Sequence, residues 1–292
     1  MSVPEHFVNG IFLYFSPMLY TPEQTAQLPA DGFRYLLTSV DGHVLTVTLN
    51  RPEKKNALHP PMLAELAFVL AYAKYTADIW LVVLAAAGDT FCAGMDLKSL
   101  SLGDTETASV PAPSGPVRLG ELMAGLHKPC IACVQGPVYA GGFLLVGAST
   151  YVVASESATF SLPEVKRGLF PFQVLAILLD IMPARKALDL CLRAKTLSST
   201  EALTLGLVTE VVPADELDNA LARLVGELTQ LSPTAMQFGL RAYQQLKNLP
   251  SDEQQAYLFD QFQQLQQTSD AKEGMAAFLE KRKPNWGGVP NS

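Results

Sequence analysis

The stretch FCAGMDLK, residues 91–98, follows closely on a long apolar run, IWLVVLAAA at 79–87. A short continuous apolar run bounded by turn residues reads as a buried strand. Ala93-Gly94 then breaks the chain, and Asp96 and Lys98 mark a polar helix start. A strand that turns into a helix leaves backbone N–H groups at the helix start without partners, and such groups can hold a developing negative charge. The plainer alternative is a βα turn in which Gly94 supplies an awkward backbone angle.

Outward from this stretch the pattern repeats. On the N-terminal side, FRYLLTSV (33–40), Asp41-Gly42 and HVLTVTL (43–49) read as two strands across a two-residue turn. Pro52 ends the second strand, and residues 60–75 carry apolar side chains at helical spacing (Met62, Leu63, Leu66, Ala67, Leu70, Ala73). On the C-terminal side, residues 102–116 are rich in Gly, Ser, Thr and Pro and read as a mobile loop beside the site. A helix over 117–126, a strand over 129–135, a Gly136-Pro137 turn and an apolar helix opening at Gly141-Gly142 come next, then strands at 150–154 and 158–162. Helix and strand alternating at short spacing argue for an α/β fold with largely parallel strands buried on both faces.

The rest reads as mostly helical: 173–182, 183–194, 200–206 ending at a glycine cap, a strand over 207–212, then helices over 214–231, from Ser232-Pro233, from a Ser251/Gln254 capping box to Thr268, and over 270–281. The terminal helices are too polar and thin for an independent globule, which suggests that they pack on a neighbouring chain. The division expected is an N-terminal arm over 1–31 that covers an outer surface, an α/β core over 32–225, and a helical oligomerisation region over 226–292.

Composition bounds the function. Of 292 residues 49% are hydrophobic and 17% charged, enough apolar material for a large core. A net charge of −7 argues against nucleic acid as a main partner, which needs clustered Lys and Arg. Cys130 and Cys133 form a CxxC pattern, yet no second pair stands at metal spacing and both lie in an apolar run, so the four cysteines read as buried free thiols in a reducing compartment. The apolar residues 7–20 lack a basic flank and no run reaches spanning length, so the expectation is a soluble, cytoplasmic protein without a membrane partner. No GxSxG elbow and no His/Asp/Glu cluster at ligand spacing are present, which leaves a hydrolase and a metal site unsupported.

With these segments placed, the chain resembles the enoyl-CoA hydratase/isomerase, or crotonase, family. The resemblance runs through NRPEKKNAL (50–58), FCAGMDLK (91–98), KPCIACVQGPVYAGG (128–142), FSLPEVKRGLFP (160–171), LGLVTEVVP (205–213) and EGMAAFLEKRKPNW (273–286), in that order. It implies a spiral of ββα turns with C-terminal helices that build homo-trimers or dimers of trimers. It also implies an acyl-CoA thioester substrate, with coenzyme A as part of the substrate and no separate cofactor. The backbone N–H groups of Met95 and Gly141 would form an oxyanion hole, and Glu164 would be the general acid/base.

For substrate binding the resemblance points to Lys54, Lys55, Ala57 and Leu58, to Ala93, Asp96, Leu97 and Lys98, and to Gly142. Phe143, Leu144, Phe170 and Phe172 would line the acyl pocket, and Arg282 and Lys283 would reach a neighbour's phosphates. One departure stands out. Hydratases of this family carry a second glutamate where this chain has Leu144, and Pro171 is followed by Phe172-Gln173-Val174 instead of a glycine-rich segment. Hydration shares its proton transfers naturally between two carboxylates, whereas moving a double bond needs only one. Hydration and isomerisation therefore both stay open, with acyl-CoA decarboxylation or C–C cleavage, or CoA-ester binding without catalysis, as alternatives.

Overall fold

The computed structural model describes residues 7, 8, 11, 12, 19–102 and 106–288. Its strands are β1 (Phe7–Val8), β2 (Ile11–Phe12), β3 (Leu36–Asp41), β4 (Val44–Leu49), β5 (Leu81–Ala86), β6 (Cys130–Val134), β7 (Val138–Tyr139), β8 (Tyr151–Ser155), β9 (Thr159–Ser161), β10 (Thr196–Ser198) and β11 (Glu210–Val212). The helices are α1 (Pro60–Tyr75), α2 (Leu97–Leu102), α3 (Leu119–Ala124), α4 (Phe143–Gly147), α5 (Phe172–Ile181), α6 (Ala184–Arg193), α7 (Ser199–Thr204), α8 (Leu217–Leu228), α9 (Pro233–Leu246), α10 (Ser251–Gln266) and α11 (Ser269–Glu280).

A six-stranded sheet runs in the order β11-β8-β6-β5-β4-β3, parallel except for the β3/β4 hairpin. β5 and β6 are buried along most of their length, so both faces need cover, and residues from the two faces fall into separate apolar clusters. A smaller sheet, β10-β9-β7, stands beside it, with β7 and β9 parallel. The hairpin turn is shifted by one residue from the expected Asp41-Gly42. Asp41 pairs with Val44, and Gly42 takes the positive φ of +54° that the turn requires.

α1 is buried on two sides. Met62, Leu66, Val69 and Leu70 face the main core, while Ala67 and Phe68 pack under Leu19 and Tyr20. One buried carboxylate on it is fully used: Glu65 accepts from the Arg34 and Tyr35 N–H groups and from the Ser109 N–H and hydroxyl. Lys128 closes the other end of α1, donating to the Ala73 and Thr76 carbonyls at 2.6 and 2.7 Å; burial lowers its pKa to about 8.

Of the expected arm, residues 1–6, 9, 10 and 13–18 lie outside the described residues, as do 103–105 of the expected mobile loop. Where the loop is described it is anchored. Ser109 bonds Glu65, the Tyr20 hydroxyl donates to the Pro111 carbonyl at 2.7 Å, and the Ser114 N–H donates to the Leu19 carbonyl at 3.1 Å. The Ser251/Gln254 capping box does not form. Pro250 holds the cap position, and the Gln254 amide donates to the Leu246 and Leu249 carbonyls at the end of α9. The reciprocal box lies instead at Ser198 and Glu201, ahead of α7. Among the described residues no helix is long and apolar enough to cross a membrane.

Candidate active site

Three segments far apart in sequence meet at the C-terminal ends of β4, β5 and β6. The first two are zipped by their backbones: the Ala93 N–H donates to Lys55 O (2.9 Å), the Leu58 N–H to Gly94 O (2.8 Å) and the Asp96 N–H to Leu58 O (2.7 Å). The third joins on the other side, where the Phe91 N–H donates to Pro137 O (3.1 Å) and the Tyr139 N–H to Cys92 O (2.8 Å). The residues expected around coenzyme A, Lys54 to Leu58 and Ala93 to Lys98, are thereby brought together. Lys54, Lys55, Leu97 and Lys98 are exposed, Ala57, Ala93 and Asp96 half-buried, and Leu58 fully buried.

The zipper decides where one donor goes. In a parallel pairing the bonded residue uses both its N–H and its C=O on the two residues flanking its partner, and the partner's own groups point away. Leu58 bonds Gly94 and Asp96, which turns the Met95 N–H outward. Gly141 sits in a tight turn, Ala140–Gly142, that leads into α4, and the first N–H groups of such a turn have no partner within it. The two donors are neighbours, because a Cβ added at Gly141 would lie 3.5 Å from the Met95 nitrogen. Glycine is required beside them. Gly94 has φ +85°, and a Cβ there would come within 2.6 Å of Ala140 Cβ and 3.0 Å of the Gly141 nitrogen. Ala140 itself is left-handed at φ +49°, a strained conformation for a residue with a side chain.

Two side chains that the sequence reading did not single out hold this junction. Asn56 accepts from the Arg51 N–H (2.9 Å) and donates to the Ala87 and Thr90 carbonyls (2.8 Å each), tying the first segment to the exit of β5. The Arg51 guanidinium donates to Asp96 Oδ2 at 2.8 Å and to the Ala57 carbonyl at 3.2 Å. That bond from Arg51 holds the Asp96 carboxyl below its usual range, while Asp96 Oδ1 caps α2 through the Lys98 and Ser99 N–H groups. The only sequence signal was their presence inside the NRPEKKNAL stretch.

Glu164 arrives on the neighbouring strand. β7 and β9 pair in parallel with Tyr139 opposite Ser161, so the chain leaving β9 runs alongside the chain that carries Gly141. Glu164 opens a tight turn, Glu164–Arg167, closed by Gly168 at φ +72°. Its carboxylate is half-buried and Oε2 has no hydrogen-bond partner. Burial raises the pKa of this carboxyl, opposed by its own backbone N–H and by Arg167. The buried Cys191 thiol of α6 feels the same charge; burial first and Glu164 second push it up to about 11, so it stays neutral beside the carboxylate.

Gly142 fits tightly, since a Cβ there would sit 3.0 Å from Cys92 Cβ. Leu144 is buried on α4. Phe143 and Phe172, both expected in an acyl pocket, stand in opposite settings. Phe143 is fully buried edge-on to Phe160, with ring centroids 6.2 Å apart, and serves the core beneath the site. Phe172 is 76% exposed at the start of α5, leaning on Phe170 at 4.9 Å. The Arg282 guanidinium forks onto Glu273 and also bonds Glu280.

The sequence profile of the enoyl-CoA hydratase/isomerase family matches residues 40–289. The enoyl-CoA hydratase EchA19 of Mycobacterium tuberculosis is 35% identical over 250 residues, which is 84% of this chain and 93% of that protein. The mevalonyl-coenzyme A hydratase SidH of Aspergillus fumigatus is 32% identical, across 84% of this chain and 91% of its own. Among solved structures, an enoyl-CoA hydratase from M. tuberculosis superimposes with a TM-score of 0.78 at 30% identity, covering 87% of this chain and 99% of that one. The chain belongs to the enoyl-CoA hydratase/isomerase family, and its fold is the crotonase-like α/β fold with C-terminal helices that the motifs implied.

Proposed function

We propose that the chain adds water to, or removes it from, an acyl-CoA thioester through an enolate, with Glu164 as the single acid/base. The Met95 and Gly141 N–H groups donate to the thioester oxygen. What supports this reading is that the Met95 N–H turns outward beside Gly141, and that β9, paired with β7, leads the chain to a carboxylate whose buried Oε2 is unpartnered. Enolisation moves charge onto the thioester oxygen, and one well-aimed donor there is worth roughly 2.7–4 kcal/mol of barrier. The Glu164 carboxylate takes a proton from water as the water oxygen adds at Cβ, and the carboxylic acid so formed gives that proton to Cα of the enolate and becomes a carboxylate again; dehydration runs the same steps in reverse. No cofactor is required, since only a proton and water change place. The names of the relatives, hydratases acting on CoA esters, support this direction.

A second reading, double-bond isomerisation, is favoured by Leu144. A buried leucine stands where a second carboxylate would assist water, and one glutamate suffices to take a proton from Cα and return it at Cγ. Exposed apolar residues on the C-terminal helices, Phe259, Phe262, Met275, Phe278 and Leu279, support the expectation of a trimer or a dimer of trimers. The test supplies a 2-enoyl-CoA and its 3-enoyl isomer separately and identifies the products. A β-hydroxyacyl-CoA from the 2-enoyl ester supports hydration. Interconversion of the two alkenes without alcohol moves the assignment to isomerisation, and no reaction with either overturns both.

A further inference from the structure

The loop over 106–118 leads from the α2 side of the site into α3, and both helices stand next to a proposed oxyanion donor. α2 begins two residues after Met95, and α3 packs against α4, which begins two residues after Gly141. The composition of the loop reads as mobile, yet groups from outside it hold it at four points. The Tyr35 hydroxyl donates to Glu106 Oε2 at 2.5 Å, and Glu65 accepts from the Ser109 N–H and hydroxyl at 2.9 and 2.7 Å. The Tyr20 hydroxyl donates to the Pro111 carbonyl at 2.7 Å, and the Ser114 N–H donates to the Leu19 carbonyl at 3.1 Å. Leu19 and Tyr20 lie upstream of the family-matched residues 40–289. Tyr20 is only 1% exposed, and its ring meets Phe68 of α1 edge-on at 5.2 Å. Val110 and Val117 of the loop pack on the cluster that it forms with Leu19, Ala67 and Phe68. Burial and the nearby Glu65 push the phenol up to about 12, so it remains a donor at neutral pH.

We propose that Tyr20 is a positioning residue: with Leu19 it clamps the 106–118 loop onto α1 and so helps to fix the Met95 and Gly141 donors relative to each other. The inference rests on the acyl-CoA reading above and gives the segment ahead of the core a part in it. Donors to an oxyanion act only if they are in place before the charge develops. The backbone zipper fixes Met95 from the strand side. On the other side stands α2, six residues long, and so short a helix has little stability of its own. If it frays, Asp96 loses the Lys98 and Ser99 N–H groups, and the residue next to Met95 loosens. A tethered loop limits that fraying, and the tether that reaches deepest into the core is Tyr20.

The test follows amide exchange at Ser109 and Ser114, whose N–H groups make two of the tethers, and turnover of a 2-enoyl-CoA, in wild type, Tyr20→Phe and Tyr20→Ala. Tyr20→Phe keeps the ring and removes one hydrogen bond, so both amides should exchange about 2–10-fold faster while those of β5 do not change. Tyr20→Ala also empties the space under the loop. It should speed both amides by about 100-fold and lower kcat/KM by about tenfold, and Tyr20→Phe should keep most of the turnover. Acetyl-CoA, which has no double bond to hydrate, should slow both amides in wild type, because coupling between loop and site is reciprocal. Exchange unmoved by the substitutions overturns the clamp. Faster exchange in Tyr20→Ala with full turnover, or acetyl-CoA that binds by calorimetry without slowing either amide, overturns the positioning role and leaves the acyl-CoA reading intact. A wild type that neither binds acetyl-CoA nor turns over the ester overturns the reading and the role together. Should Tyr20→Ala not fold, exchange in Tyr20→Phe and the acetyl-CoA effect decide.

Discussion

The two walls of the site are built in opposite ways. The wall that carries Met95 and Gly141 is made of backbone, locked by a parallel zipper on each side and by Asn56 and Arg51 behind it. The wall that carries Glu164 is one side chain on a short turn, with one buried oxygen left without a partner. In the proposed reaction the first wall needs fixed geometry, because donors to a developing oxyanion must already be in position when the charge appears. In that reaction the second needs a carboxylate that can change protonation state, and a full set of hydrogen bonds would hold it ionised by lowering its pKa.

The largest expected break falls on the second wall. Glu164→Gln keeps the shape and removes the proton, and turnover of the enoyl-CoA should fall by about 10³-fold with a smaller change in KM, read by steady-state kinetics. Next comes the backbone wall. Gly94→Ala meets both a φ of +85° and an approach of 2.6 Å to Ala140. It should lower stability by more than about 1 kcal/mol in a denaturant titration and shift the donors enough to slow turnover. Arg51→Met removes the clamp while keeping some of its apolar bulk. The loss should be about 1–3 kcal/mol.

The smallest effect sharpens the contrast through pH. The folded-state pKa of Glu164 is raised, so between the unfolded value, near 4.5, and the folded one the native chain holds more protons than the unfolded chain. Stability contributed by this group then falls as pH rises through that window. Glu164→Gln should melt slightly higher than the wild type at neutral pH and no higher at pH 4. Asp96 behaves oppositely: its lowered pKa makes its contribution present above its unfolded value, near 3.8, and lost as pH falls below it.

Sequence patterning carried the large elements because their periodicity follows burial. The bounds of α1 are those its apolar spacing predicts, and the β5 run is buried as a central parallel strand must be. β7 and β10 escaped because two or three residues show no alternation, and they form only because β9 lies between them. The capping-box error came from reading residue types alone, since Pro250 already occupies the cap. At the site, the motif residues were legible as letters, whereas the outward turn of the Met95 N–H depends on Leu58, 37 residues earlier. Phe172, a little after Glu164 in sequence, is carried to the surface by the start of α5, which its residue type alone does not show.

The most direct test of one carboxylate working against two backbone donors is exchange at Cα. A CoA thioester substrate is incubated in D2O with wild type and with Glu164→Gln, and deuterium at Cα is followed by mass spectrometry. The wild type should label Cα and the variant should lose that labelling by about 10³-fold. Equal labelling by both would show that another group moves the proton and would contradict the assignment of Glu164.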